Sequence, residues 1–434
     1  MPIAGQDAVD QTPSGEQSRS VTTRRQKLQK LVSFGFSMTA MLVPAALQFV
    51  LFAFYARVLG VEQYGIYIAL LSWNPICFEL VGIGAGEYLI KRSAQDESAF
   101  GIARGHMLAA ILYTLPVAMA LFTFLAYAAV DYRIGLTTIL LLCLSEFLGY
   151  RLLVCAEQAA ISLRRFGMAN WFRIAQGVPR LLGVVFAYFV LGLKDVSSLA
   201  LAGSFAILLG GIGAEIVVRS RLPATKKLEI IPEGLRNGTW FMGNQLVRAG
   251  QQNIDRVVLS AVVDPATLAL YGAAQRFIQV GILPIQTVLR YTYPHFFKEG
   301  KKGIGSALRY GIKVLPLVAG VAAVTAAGLM AAAGFLPLVV GQQYAQSVTY
   351  LFYLAPVLVL FAVNYVATDT LSGGGYLSVR TLLTASGVGV QAALFLLFHD
   401  GKEIVLASYG GMGITCIVTW LAVFLLARRS KQQG

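Results

Sequence analysis

The sequence predicts an all-α, polytopic membrane protein with about twelve transmembrane helices in two bundles of six. Of its 434 residues 57% are hydrophobic and only 13% are charged, whereas a soluble domain carries about 25% charge. The mean hydropathy of +0.68 fits a chain that is largely surrounded by lipid. One long polar connection near mid-chain divides the apolar stretches into two equal sets.

The apolar stretches are each about 20 residues long, which is the length that an α-helix needs to cross the hydrocarbon core of a bilayer. They lie near residues 34–56, 65–89, 105–130, 134–157, 170–193, 197–218, 239–263, 267–291, 312–333, 346–368, 377–398 and 404–427.

The longest interior polar connection runs from Arg219 to Arg236 and separates six stretches from six. Residues near the N-terminus are polar and rich in Ser, Thr and Gln, which is typical of a disordered segment. We therefore expect a disordered cytoplasmic tail at 1–30, an N-terminal six-helix bundle at 31–222, a cytoplasmic linker at 223–237 and a C-terminal six-helix bundle at 238–434.

Positive charge is distributed unevenly across the predicted membrane. Of the 35 lysines and arginines, 24 fall on one side, four on the other and seven within the spans. By the positive-inside rule this distribution places both termini in the cytoplasm. Topology thus accounts for the net charge of +14, and no nucleic-acid partner is indicated. The first apolar stretch is too long for the core of a signal peptide, so we expect no cleavable signal.

Several spans carry polar side chains at helical steps of three, four and seven, which share one face of a helix. An arginine at the bilayer centre costs about 2.5–3.5 kcal/mol on insertion scales, so a chain with several must face them towards water or a partner. Such stripes predict a water-filled cationic cavity, and guanidinium forks suit phosphate or pyrophosphate. The predicted binding residues are Gln48, Arg173, Arg180, Asn244, Arg248, Gln251, Arg256, Arg276, Gln279 and Arg290.

Other interpretations of the arginines stay open. Arg173, Arg290 and Arg151 lie near cytoplasmic ends of spans, where their side chains can extend along the helix to water. Arg180, Arg248 and Arg276 are the favoured cavity residues, although each can instead form a buried ion pair with an acid.

The acids within spans also have two interpretations. They can couple transport to H⁺ or Na⁺, or they can balance the charge of the arginines, which we favour. The residues concerned are Glu79, Glu146, Asp255 and Asp369, with Glu215 as a further partner for an arginine.

No catalytic site is predicted. The sequence contains neither GxxxxGK[ST] nor HExxH, and its three histidines are scattered. The four cysteines fall within spans without CxxC spacing, so neither a zinc site nor a disulfide framework is indicated. The basic, short loops disfavour an integral glycosyltransferase. We expect a protein that is not an enzyme and holds no cofactor or metal.

Five segments resemble a known family. YARVLGVEQYGIY at residues 55–67 resembles the first hairpin of bacterial polysaccharide-biosynthesis flippases, which belong to the multidrug/oligosaccharidyl-lipid/polysaccharide exporter superfamily. NIDRVVL at 253–259 and LYGAAQR at 270–276 are similar to the matching segment of the second half. SLRRFG at 162–167 fits the same family, as does Tyr293-Pro294.

The resemblance implies a V-shaped, MATE-like pair of bundles in the bacterial inner membrane that alternates between inward-open and outward-open states. It implies transport of undecaprenyl-diphosphate-linked oligosaccharide repeats to the periplasmic leaflet, for O-antigen, exopolysaccharide or capsule synthesis. A polysaccharide polymerase and glycosyltransferases are the implied protein partners.

Two alternatives remain. A cation-coupled multidrug exporter of the same superfamily is disfavoured, because arginines outnumber acids in the middle of spans five, seven and eight. A non-transporting scaffold of a polysaccharide-assembly complex is disfavoured, because it needs no charge at bilayer depth.

Overall fold

Regular structure in the described part of the chain is helical throughout. The computed structural model describes residues 14–129 and 134–432, with side chains at 43–129 and 134–430. The helices are α1 (Ser14–Leu71), α2 (Asn74–Leu80), α3 (Ala85–Gln95), α4 (Phe100–Ala129), α5 (Leu136–Leu144), α6 (Arg151–Ser162), α7 (Phe166–Ala175), α8 (Val178–Phe189), α9 (Val196–Arg221), α10 (Pro232–Val262), α11 (Pro265–Gly300), α12 (Ile304–Ala332), α13 (Leu336–Val340), α14 (Ser347–Leu354), α15 (Val357–Gly373), α16 (Leu377–Leu397) and α17 (Glu403–Gln432).

The all-α, polytopic fold class is confirmed. Nine helical stretches among the described residues are long and apolar enough to cross a membrane. The first of them, Val43–Gln95, holds two of the twelve expected spans. Two further spans fall outside the nine: one is interrupted between α7 and α8, and the other, α10, carries many polar residues. All twelve apolar stretches therefore lie on helical segments.

Helix α1 reaches into the expected N-terminal tail. Residues 1–13 lie outside the described part of the chain, and α1 begins at Ser14. Residues 16–30 contain no Pro or Gly and are rich in Gln, Arg and Lys, which are strong helix formers. At its other end, α1 bends at Gly60, whose φ of 74° suits glycine.

Three interruptions lie beside the centre of the N-terminal half. Gly82, Ile83 and Gly84 have positive φ angles and separate α2 from α3. Gly177 separates α7 from α8, and Pro179 follows in the first turn of α8. A π-helical turn, Ser145–Tyr150, joins α5 to α6 and turns its side chains relative to a regular helix.

At one membrane face, here called the linker face, the two halves are joined by residues 222–231. This strap packs along α4: the N–H of Lys226 donates to the carbonyl of Gly101 at 3.0 Å, and the N–H of Ile231 donates to Nδ1 of His106 at 3.0 Å. The predicted linker, 223–237, is too long, because Pro232 begins α10 as a first-turn proline.

The halves also touch at the opposite face, here called the turn face because the α10–α11 turn lies there. Arg57 on α1 donates to the carbonyls of Leu338 and Val339 at the end of α13, with a distance of 2.7 Å from Nε to Val339. Gln343 donates to the carbonyl of Ala56 at 3.2 Å. These contacts join the N-terminal half to the C-terminal half at the turn face.

Aspartates cap helices at the same face. Asp195 accepts from the N–H of Ser198 at 2.9 Å, and Asp264 accepts from the N–H of Thr267 at 3.0 Å. The backbone hydrogen bond from Ser198 holds the pKa of the Asp195 carboxyl below its ordinary value. Both residues thus satisfy donors that the first turns of α9 and α11 leave free.

Candidate functional site

A cavity of about 870 Å³ lies between the two halves. Its wall is built by α1, α2, α3, the π-helical turn, α6 and α8 of the N-terminal half and by α10, α11 and α15–α17 of the C-terminal half. We call it the central cavity. Its volume is in the upper part of the range of about 300–1,000 Å³ that is typical of small-molecule sites.

Most of the predicted polar residues line this cavity. Those on the wall are Gln48, Glu79, Glu146, Arg180, Arg248, Gln251, Asp255, Arg256, Arg276 and Gln279. On α10 they lie at Arg248, Gln251 and Asp255, three to four residues apart, so the helical period brings them to one side of the helix.

Arg180 is held by an acid of its own half. Its guanidinium donates to the carboxylate of Glu146, which also accepts from the hydroxyl of Ser204 at 2.6 Å. The side chains are 21% and 4% exposed, so the pair lies at the edge of the wall with the acid beneath it. Of the two interpretations, the ion pair applies to Arg180.

Arg248 faces the cavity without such a partner. Its side chain is exposed and makes no hydrogen bond or salt bridge with any residue that the structure describes. Glu79 interacts electrostatically with both Arg248 and Arg151. Arg151 lies 3.9 Å above the ring of Phe78 and donates to that residue's carbonyl, while its Nε has no partner in the described chain.

Arg256 and Arg276 form a second cationic group on α10 and α11. The two guanidiniums repel each other, and Tyr64 of the N-terminal half interacts electrostatically with both. Arg276 donates to Gln279 at 3.3 Å, and Arg256 donates to the carbonyl of Gln252 at 3.3 Å. Neither forms a salt bridge within the described residues, and the buried Nε of Arg256 has no partner there.

Asp255 is an acid that interacts electrostatically with Arg256. It is only 9% exposed and accepts a hydrogen bond from the hydroxyl of Tyr271 at 2.9 Å. Gln275 donates to the same hydroxyl at 2.6 Å. Asp255 is thus held between α10 and α11, where it offsets part of the charge of Arg256.

Four predicted residues lie away from the central cavity. Arg173 pairs with Glu157, Nε to Oε1 at 2.8 Å, and is 41% exposed. Arg290 is exposed, because it lies near the linker face, and Asn244 bonds to Trp240 and Thr381. Asp369 is buried beside Arg380. Asn244 and Arg290 lie nearer the linker face than the wall residues of their helices, whereas Arg173 and Asp369 lie beside charged partners off the wall.

Several wall residues were missed from the sequence. Arg151 lies in the cavity wall rather than near a cytoplasmic end, because the π-helical turn precedes it and α6 continues for eleven residues beyond it. Gln158, seven residues later, shares its face, and Gln245 shares a face with Arg248 on α10. The spacings of seven and three residues in these two pairs are the sequence signal that could have assigned them to the wall.

Among the described residues, no group of three or more His, Cys, Asp or Glu side chains could hold a metal ion.

A family model described as "Polysaccharide biosynthesis protein" matches residues 31–299, which include every arginine of the central cavity. A search of curated proteins by sequence finds no match.

Solved structures share the fold at low identity. A multidrug resistance MATE family transporter in its inward-facing conformation aligns with a TM-score of 0.71 and 14% identity, over 92% of this chain and 99% of that one. Lipid II flippase MurJ in an inward closed conformation aligns with a TM-score of 0.72 and 12% identity, over 90% and 87%. An outward-facing MATE family structure aligns less well, at 0.57 and 14%, over 93% and 96%.

Proposed function

Because the chain belongs to the polysaccharide biosynthesis protein family, we propose that it is a flippase for polyprenyl-diphosphate-linked oligosaccharides. It carries an undecaprenyl-diphosphate-linked repeat unit from the cytoplasmic to the periplasmic leaflet of the bacterial inner membrane, for O-antigen, exopolysaccharide or capsule synthesis. One observation supports this most: Arg248, Arg256 and Arg276 line a cavity between the halves without a salt bridge to any described residue.

The proposed ligand complements that wall. A diphosphate offers several anionic oxygens, and guanidiniums bind such oxygens with charge-assisted, bidentate hydrogen bonds. The cavity has room for a polar headgroup. The polyprenyl chain stays in the apolar bilayer throughout, so it is never exposed to water. Because these arginines form no salt bridge to a described residue, no such ion pair has to be broken when the ligand binds.

The two rival functions fit the wall less well. A multidrug exporter for cationic compounds would hold its ligand beside Arg248, Arg256 and Arg276, which repel a cation. A scaffold that does not transport would gain nothing from arginines at bilayer depth, since each is costly to bury.

The structure supports an orientation and a stage of the cycle. The loops of the linker face are rich in Lys and Arg, which favours a cytoplasmic location for that face and for both termini. Contacts such as that of Arg57 with Val339 join the halves at the turn face, and the higher TM-score is with the inward-facing MATE structure. We assign this conformation as inward-facing, with bundles 31–222 and 238–434 rocking about the cavity.

Coupling and partners complete the proposal. Glu79 and Asp255 are wall acids available for coupling to H⁺ or Na⁺, whereas Glu146 is held by Arg180 and Asp369 lies off the wall. Glycosyltransferases would build the ligand on the cytoplasmic side and a polymerase would consume it on the other.

Reconstituted protein tests the proposal. Proteoliposomes containing an undecaprenyl-diphosphate-linked disaccharide are assayed for its exposure to a membrane-impermeant lectin. We expect the wild type to expose the internal pool and Arg248→Gln or Arg276→Gln to slow this at least tenfold, since each loses a charge-assisted contact. Arg173→Gln is the matched control, because Arg173 pairs with Glu157 away from the wall.

Full activity of both cavity variants at normal protein level would disprove the cationic-cavity mechanism. Transport of a cationic dye in place of the glycolipid would instead support the exporter.

A further inference from the structure

Glutamine is unusually frequent on the wall of the central cavity. The wall carries ten glutamines, and seven of them make no side-chain hydrogen bond with any residue that the structure describes. Of these seven, Gln245, Gln251 and Gln252 lie on α10, Gln286 on α11 and Gln391 on α16. Most face the cavity from the C-terminal half.

Amides on a cavity wall suit a ligand that both donates and accepts hydrogen bonds. A glutamine side chain offers two N–H donors and one carbonyl acceptor, and a sugar hydroxyl offers one donor and two lone pairs. The donors and acceptors of the amide can therefore pair with those of the hydroxyl, and both groups are uncharged. A drug-like apolar ligand or a bare phosphate would leave the amide carbonyls unsatisfied, which is costly where water is excluded.

The glutamines flank the arginines. Gln245, Arg248 and Gln252 follow at steps of three and four on α10, and Gln279 and Gln286 follow Arg276 at steps of three and seven on α11. On both helices, glutamine side chains therefore lie beside the arginine on the same helix face. A ligand with a diphosphate at the arginines would place its next groups against these amides.

The free acids of the wall disfavour further negative charge. Glu79 and Glu87 line the cavity, and neither carboxylate makes a hydrogen bond or salt bridge with a described residue. They interact with each other through space, and Glu79 is offset only by Arg151 and Arg248. A carboxylate on the sugar would meet these acids in a cavity where charges are weakly screened.

Resting on the proposed function, we infer that the repeat unit beside the diphosphate is made of uncharged, hydroxyl-rich sugars, and that Gln245, Gln252 and Gln286 bind them. The arginines provide affinity for the diphosphate that every such ligand shares. The amides bind the sugar hydroxyls, and Glu79 and Glu87 disfavour acidic sugars.

Three undecaprenyl diphosphate probes separate these roles: one without sugar, one with a neutral disaccharide and one with the same disaccharide ending in glucuronate. Binding is measured on purified full-length protein in nanodiscs. Wild type should bind the neutral disaccharide about tenfold more tightly than the glucuronate form. Gln245→Leu/Gln252→Leu should lose about tenfold for the neutral disaccharide and stay within twofold for the sugar-free probe. Gln95→Leu, exposed at the end of α3 and off the wall, is the matched control.

Other results would overturn the inference. Equal or tighter binding of the glucuronate probe by wild type would show that acidic sugars are accepted. An equal loss for all three probes in the double variant would show that the glutamines only maintain the wall. Both of these outcomes leave the flippase proposal intact. If wild type binds none of the three probes, then the flippase proposal fails and this inference fails with it.

Discussion

Arg180 on α8 donates a hydrogen bond to Glu146, whose carboxylate the π-helical turn directs towards it. The hydroxyl of Ser204 on α9 donates to the other carboxylate oxygen. Arg180 is thus neutralised, and the wall arginines without a salt bridge to a described residue are Arg151, Arg248, Arg256 and Arg276. Three of these four lie on α10 and α11, so the C-terminal half supplies most of the binding charge.

The first prediction concerns the Arg180–Glu146 pair. We expect Glu146→Gln to lower the free energy of unfolding by about 2–3 kcal/mol, because it leaves a largely buried guanidinium without its carboxylate. Arg180→Gln should cost a similar amount, and the double variant should cost less than the sum of the two by about 1–2 kcal/mol. Thermal unfolding of the four proteins in one detergent gives the cycle. Strictly additive losses would show that the two side chains do not stabilise each other.

The second prediction concerns the closure at the turn face. Arg57→Ala removes charge-assisted hydrogen bonds to the carbonyls of Leu338 and Val339, each worth about 1.5–3 kcal/mol. The population that is open at the turn face should rise about tenfold or more. An Ala56→Cys reporter, fully buried in the closed state, should then react faster with a membrane-impermeant maleimide.

The labelling experiment has a low background, because Cys77, Cys143, Cys155 and Cys416 are all buried. Ala345→Cys, exposed on the same face, should react equally with and without Arg57→Ala. An unchanged rate at the Ala56→Cys reporter would mean that Arg57 does not hold the halves together.

The third prediction tests close packing between the halves. A Cβ atom on Gly238 of α10 would lie 2.2 Å from the carbonyl oxygen of Ile83, whereas one on Gly243 of the same helix meets nothing within 4 Å. Gly238→Ala should therefore destabilise the protein by about 1–3 kcal/mol, as overpacking does. Gly243→Ala should be neutral or stabilising by up to about 1 kcal/mol, from helix propensity alone. The two unfolding temperatures, measured side by side, decide this. Equal effects would mean that α10 can move away from the α2–α3 turn at no cost.

The lengths of the apolar stretches predict much of the fold, but they predict only part of the site. The period of α10 indicated Arg248, Gln251 and Asp255 on one face, and all three line the cavity. Period alone could not assign Glu146, because the π-helical turn rotates it out of a regular register. It also could not show whether a side chain meets an acid on another helix, as Arg173 meets Glu157. Such pairings depend on tertiary packing, which a local pattern does not contain.

The last prediction concerns the repulsion between Arg256 and Arg276. Because the two guanidiniums repel each other and neither has a salt bridge to a described residue, Arg276→Gln should raise the stability of the ligand-free protein by about 0.5–1 kcal/mol. The same variant should lose most of the thermal stabilisation that undecaprenyl diphosphate gives the wild type, since binding stabilises the native state in proportion to affinity. Thermal unfolding with and without the lipid measures both effects. Arg173→Gln is the control: it breaks the pair with Glu157 and should keep the full lipid-induced shift. If Arg276→Gln destabilises the ligand-free protein by more than about 1 kcal/mol, Arg276 supports the bundle, and its place in the diphosphate site must be given up.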